Sequence, residues 1–153
     1  ESTWVSIAHV MARRSLCVRD QVGAVIVDDE QRIVATGYNG PPADYPHNDV
    51  RCTAWCERAC GAELPRDYTN CVSLHAEMNA ISAARLEARQ GATLYVTSHV
   101  CFGCAKLIAN SGIDHVVVDS ADAASHRSPA ESYTLLHSCG VSTRILEDKD
   151  NQA

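Results

Sequence analysis

At 153 residues the chain suits one domain that buries about two thirds of its unfolded surface, and it is short for two. Its 13 Lys and Arg against 19 Asp and Glu give a formal charge of -6, so no overall positive field holds a polyanion, although a local pocket for one phosphate is compatible with that balance. No apolar run approaches the roughly 20 residues that span a bilayer, and Glu1-Ser2-Thr3-Trp4 lacks signal-peptide organisation, so a cytoplasmic protein with no membrane and no long nucleic-acid partner is expected.

From the start, Trp4, Ile7, Ala8 and Met11 fall at helical spacing and predict an amphipathic helix. Val22 to Val27 and Ile33 to Tyr38 are short apolar runs around the turn-like Asp28-Asp29-Glu30-Gln31, a hairpin pattern. Gly37-Tyr38-Asn39-Gly40-Pro41-Pro42 breaks regular structure, and a polar, cysteine-bearing stretch follows to about Cys71. His75 to Gln90 reads as one helix stopped by Gly91, Ala92 to Thr97 as a strand, Phe102 to Asn110 as a helix stopped near Gly112. His115 to Val118 is a buried-type strand, Pro129 to Ser138 a helix closed by Gly140, and Val141 to Leu146 the last strand. Strands alternating with helices after a hairpin imply an α/β fold, a three-layer α/β/α sandwich with a mixed sheet of about five strands and right-handed crossovers between the later ones. A single domain over 1–146 with a loose tail over 147–153 is expected.

Eight cysteines without a secretory signal point to metal before disulfides. His75-Ala76-Glu77 stands at a predicted helix start, and Cys101-Phe102-Gly103-Cys104 follows a predicted strand. One imidazole and two thiolates are good zinc ligands, and a fourth position left to water makes such a site catalytic. Cys101 and Cys104, three apart, share one face of a helical turn, whereas His75 and Glu77, two apart, do not face each other on a helix side. The metal is therefore expected beyond the two helix N-termini, whose dipoles favour thiolates. Glu77 supplies a general acid/base beside the metal, and His-x-Glu with a later Cys-x-x-Cys is the signature of zinc nucleobase deaminases. A closed structural knot of His75, Cys101, Cys104 and a fourth cysteine is the main competitor, and a redox Cys-x-x-Cys a distant one.

The stretches Ser15-Leu16-Cys17-Val18-Arg19, Val22 to Val27, Gly37-Tyr38-Asn39-Gly40, His75-Ala76-Glu77-Met78-Asn79-Ala80-Ile81, Cys101 to Ile108 and Ser111-Gly112-Ile113 resemble the deoxycytidylate (dCMP) deaminases, phage-type ones included. The resemblance runs over nearly the whole chain, from about Trp4 to Leu146. It implies the cytidine deaminase-like fold and hydrolysis of dCMP to dUMP, with catalytic zinc on His75, Cys101 and Cys104 and Glu77 as the proton shuttle. Asn39 would contact the deoxyribose or base, Arg19 the 5′-phosphate, and Ala76 would stand on the substrate-binding side; the bland alternatives are a turn residue for Asn39 and a solvated charge for Arg19. It further implies a homo-oligomer, often a hexamer, activated by dCTP and inhibited by dTTP. One departure stands out: the family usually has Pro before the first cysteine of Cys-x-x-Cys, and here His99-Val100 precede Cys101. Proline fixes φ, so its absence is expected to loosen the loop beside the metal.

Cys52, Cys56 and Cys60 repeat every four residues, and Cys71 lies four before His75. Some dCMP deaminases carry a structural zinc, and the resemblance places Cys17 and Cys71 in it; two of Cys52, Cys56 and Cys60, which share a face if their segment is helical, are expected to complete the set, and buried, metal-free thiols are the alternative. Cys139 is expected in the core. Competing functions are action on a 5-substituted dCMP or a nucleoside, a polynucleotide base deaminase, and a zinc-stabilised module without catalysis. A polynucleotide editor would need a basic groove and stacking aromatics, which 5% aromatic content and the acidic charge disfavour.

Overall fold

The computed structural model describes residues 2–46, 51–52, 56, 71–119 and 129–146. The elements run α1 (Ser2–Ala12), β1 (Gly23–Val27), β2 (Ile33–Tyr38), α2 (Ala76–Ala83), α3 (Leu86–Arg89), β3 (Thr93–Val96), α4 (Phe102–Ala109), β4 (His115–Asp119), α5 (Pro129–Ser138) and β5 (Ser142–Leu146). The strands form one sheet in the order β2-β1-β3-β4-β5. β1 pairs antiparallel with β2 and β3, while β3, β4 and β5 are mutually parallel, joined through α4 and α5. A parallel pair needs a long crossover, and the two helix-forming segments between these strands supply it.

Period-2 alternation sorts the strand side chains onto two faces, and each face is covered. Val25 and Val27 of β1, Tyr95 of β3 and Val117 of β4 pack against Val5 and Ala8 of α1. Ala24, Ile26, Leu94, Val96, Val116 and Val118 point the other way, into a larger core with Ala80 and Ile81 of α2, Ile108 of α4 and Leu136 of α5. Covered on both sides, β1 is buried at every residue, and Gly-Ala-Val-Ile-Val reads as a continuous apolar run. The arrangement is the three-layer mixed sheet that the sequence pattern implies.

Two expectations fail. The segment from His75 to Gln90 is two helices, broken where Ala84 and Arg85 are extended, with ψ of 136° and 146°. Ala84 and Arg85 are good helix formers, so the break comes from tertiary packing: Ala84 turns into the core at 8% exposure. The carbonyls left open at the end of α2 are capped by Arg89, whose Nη1 donates to Ile81 O at 2.7 Å and Ala84 O at 3.3 Å. Cys139 is exposed rather than in the core, because it sits in the closing turn of α5. That turn ends as expected on Gly140, at φ 82°, with Val141 N donating back to Leu136 O at 2.9 Å. The tail over 147–153 and most of the polar stretch before Cys71 lie outside the described residues.

Candidate metal and catalytic centre

Two helix N-termini meet on the α2/α4 side of the sheet. His75 is the N-cap of α2 and Cys101 the N-cap of α4, both in extended backbone, while Cys104 lies in the first turn of α4. Cys101 Sγ accepts from Cys104 N at 3.4 Å, a thiol doing the work of an ordinary capping oxygen. His75 Nδ1 stands 3.3 Å from Cys101 Sγ and 3.3 Å from Cys104 Sγ. The three donor atoms lie within 4.8 Å of one another, and among the described residues no other group of three is so gathered.

Zinc fits this donor set. Tetrahedral coordination with Zn–S of about 2.3 Å and Zn–N of about 2.0 to 2.1 Å separates nitrogen from sulfur by about 3.6 Å, a few tenths of an ångström more than the spacing here. In the metal-free pair, Cys101 is drawn down to about 3, first by the hydrogen bond from the Cys104 thiol and then, against the opposing effect of burial, by His75. Cys104 is pushed far up, because its thiol is held by Cys101, is buried and faces Glu77. One of the two sulfurs therefore carries charge readily, and a dication would stabilise the second thiolate as well.

Glu77, in the first turn of α2, is 3% exposed and reaches the Cys104 thiol by a hydrogen bond. The first turn of a helix leaves backbone N–H groups without intrahelical partners, which favours a carboxylate there. Ala76 is wholly buried in the larger core, so its methyl group faces packing and only its backbone can serve the site.

Asn39 is 8% exposed. Its Oδ1 accepts from Val22 N at 2.8 Å and its Nδ2 donates to Asp20 O at 2.8 Å. The amide thus braces the loop that carries Arg19, and Arg19 itself is exposed on a bend. Asn39 is not in left-handed backbone; among the described residues only Gln31, at φ 62°, is a non-glycine residue there.

Sequence reasoning missed two holding groups. Asn79 Nδ2 donates to Tyr38 O at 2.8 Å and ties α2 to the end of β2. Tyr133 of α5 bonds His99 Nδ1 through its hydroxyl at 2.6 Å. The first could have been found, since Asn79 follows the ligand motif within one helical turn. The second left no local signal, because its partners are 34 residues apart.

The other cysteines gather in part. Cys52 is 2% exposed, accepts at Sγ from Val18 N at 3.3 Å, and is hydrogen-bonded to the Cys17 thiol. Burial raises its pKa, and the nearby thiols of Cys17 and Cys56 raise it further. Cys71 is half-buried, and Cys60 lies outside the described residues.

The sequence model of the cytidine and deoxycytidylate deaminase zinc-binding region matches residues 1–120. A deoxycytidylate deaminase of Mycobacterium phage D29 is 44% identical over 120 residues, covering 74% of this chain and 89% of the phage protein. The deoxycytidylate deaminase of Saccharomyces cerevisiae is 37% identical over 145 residues, 94% of this chain, which spans only 44% of the yeast protein. The crystal structure of the cyanophage S-TIM5 dCMP deaminase in complex with dCMP and dUMP matches with a TM-score of 0.67 at 24% identity, over 95% of both chains, and shows the shared fold. With a zinc-ready His-Cys-Cys group on that fold, the chain belongs to the cytidine and deoxycytidylate deaminase family.

Proposed function

We propose that the chain hydrolyses dCMP to dUMP. The observation that carries this reading is the convergence of His75, Cys101 and Cys104 at hydrogen-bond distance, with the buried Glu77 carboxylate against Cys104. Three protein donors leave a fourth zinc position open, which separates a catalytic site from a structural knot. Zinc, when bound, lowers the pKa of a coordinated water to about 7. Glu77 takes one proton of the attacking water and gives it to the ring nitrogen, then takes the second from the new hydroxyl at C4 and gives it to the departing amine. A C–O bond forms at C4, the C–N bond breaks, and ammonia leaves.

In this reading Arg19 meets the 5′-phosphate and Asn39 offers its remaining Nδ2 hydrogen to the sugar. The chain is acidic, so a dianionic nucleotide needs a local cation to capture it. Arg19→Ala is expected to weaken dCMP use about tenfold, one charge-assisted hydrogen bond of roughly 1.5 to 3 kcal/mol, and to leave deoxycytidine nearly untouched. Equal losses on both would place Arg19 in folding instead. The test of the whole reading is a panel of cytosine nucleosides, mono- and triphosphates and 5-substituted dCMP, followed by loss of the amino group. dCMP should lead it; deoxycytidine turned over as well as dCMP would overturn the nucleotide assignment.

A second, structural zinc belongs to the proposal, held by Cys17, Cys71 and cysteines of the 52–60 run. The Cys17–Cys52 contact supports it. Elemental analysis of fully loaded protein is expected to give two zinc ions per chain, and one would reject it. Assembly into a homo-oligomer, regulation by dCTP and dTTP, and a cytoplasmic setting complete the reading.

A further inference from the structure

The residue before Cys101 is Val100, not proline, so the chain entering the metal site lacks a ring to fix its backbone. The loop is nevertheless held. Val100 is fully buried in the larger core, and the side chain of His99 is bonded at Nδ1 to the Tyr133 hydroxyl at 2.6 Å. The rings of the two residues lie 6.0 Å apart at 56°, a tilted contact that fixes His99 in orientation as well as distance. The Val100 N–H acts on the same hydroxyl, so both residues that precede Cys101 converge on one oxygen. That oxygen is carried by α5, which is packed through Leu136 into the core shared with α4.

The hydroxyl can serve both partners at once. Accepting from Val100 N–H, it has one hydrogen left, and His99 Nδ1 takes it when the imidazole carries its proton on Nε2. Burial and the nearby Glu77 carboxylate disfavour loss of the phenol proton, which stays available as the donor.

We propose that Tyr133 is a positioning residue of the zinc site: its hydroxyl, through His99, holds the β3–α4 loop that delivers Cys101, a task given elsewhere in the family to proline. This rests on the zinc reading of His75, Cys101 and Cys104. Groups that orient metal ligands typically change metal affinity 10- to 100-fold when removed.

The test measures zinc affinity by chelator competition and the cobalt-substituted spectrum, not activity alone. Wild type should show thiolate-to-cobalt charge transfer that Cys101→Ser diminishes; absence of that band would fail the zinc reading itself, separately from the role of Tyr133. Tyr133→Phe, which keeps the ring, is expected to bind zinc about tenfold more weakly with an altered cobalt spectrum. His99→Phe breaks the same bond from its other end and should give a similar loss, so the proposal stays testable if either variant fails to fold. Adding Val100→Pro to Tyr133→Phe should restore affinity to within about twofold of wild type. A merely structural tyrosine would lower the melting temperature and leave these readouts unmoved. Tyr133→Phe with unchanged zinc affinity and spectrum, or a double variant no tighter than Tyr133→Phe, would overturn the proposal.

Discussion

Glu77→Gln is expected to keep zinc and fold while turnover on dCMP falls by at least about 10², the low end for removal of a general acid/base. The substitution preserves size, which matters because Glu77 is 3% exposed and has no room to relocate. An amide cannot take a proton at neutral pH, and with no proton moved the ring nitrogen and the leaving amine both stay uncharged. Single-turnover rates on protein of verified zinc content are the measurement, and undiminished turnover would show that another group moves the protons.

Gly37→Ala is expected to damage stability and activity together. Gly37 lies on β2 directly beneath α2, and a Cβ there would come within 2.2 Å of Ala76 O and 2.5 Å of Ala80 N. Both are backbone atoms, so no change of rotamer relieves the clash and the helix itself must move. Overpacking of this kind costs about 1 to 3 kcal/mol, or a drop of about 5 °C in melting temperature for a chain of this length. The displaced helix carries His75 and Glu77 on its first turn. A misplacement of about 1 Å in such groups costs on the order of 10² in rate. Gly40→Ala is the control, since its Cβ would touch only the Tyr38 ring, at 3.6 Å and beyond. If the two variants melted and turned over alike, the close approach of α2 to β2 would not be what Gly37 serves.

The candidate donors were legible because zinc chemistry restricts residue types so narrowly: His75, Cys101 and Cys104 stand at the two helix starts that spacing indicated. The sheet was legible for a similar reason, since runs such as Val116-Val117-Val118 have few places to go except a strand covered on both faces. What failed was decided by distant contacts. Nothing in Ala84-Arg85 announces a helix break, and the carbonyls freed there are met by a side chain four residues on from Arg85. The partner of His99 comes from α5, beyond any periodicity a local window can sense. Asn39 was read as a substrate contact, yet its amide is also spent on backbone bracing that no motif encodes.

The guanidinium of Arg89 does more than cap α2. Its Nε also donates to Ser111 O at 2.8 Å, just past the end of α4. One side chain therefore stitches the C-terminal ends of the two helices whose opposite ends carry the metal donors. Joined at the far end and clamped to a common core, α2 and α4 cannot splay without breaking that stitch, so the spacing of His75 from the two sulfurs is settled when the chain folds. Zinc then enters a finished template: loading should release protons and little heat of refolding, and the demetallated chain should keep the circular dichroism of the loaded one.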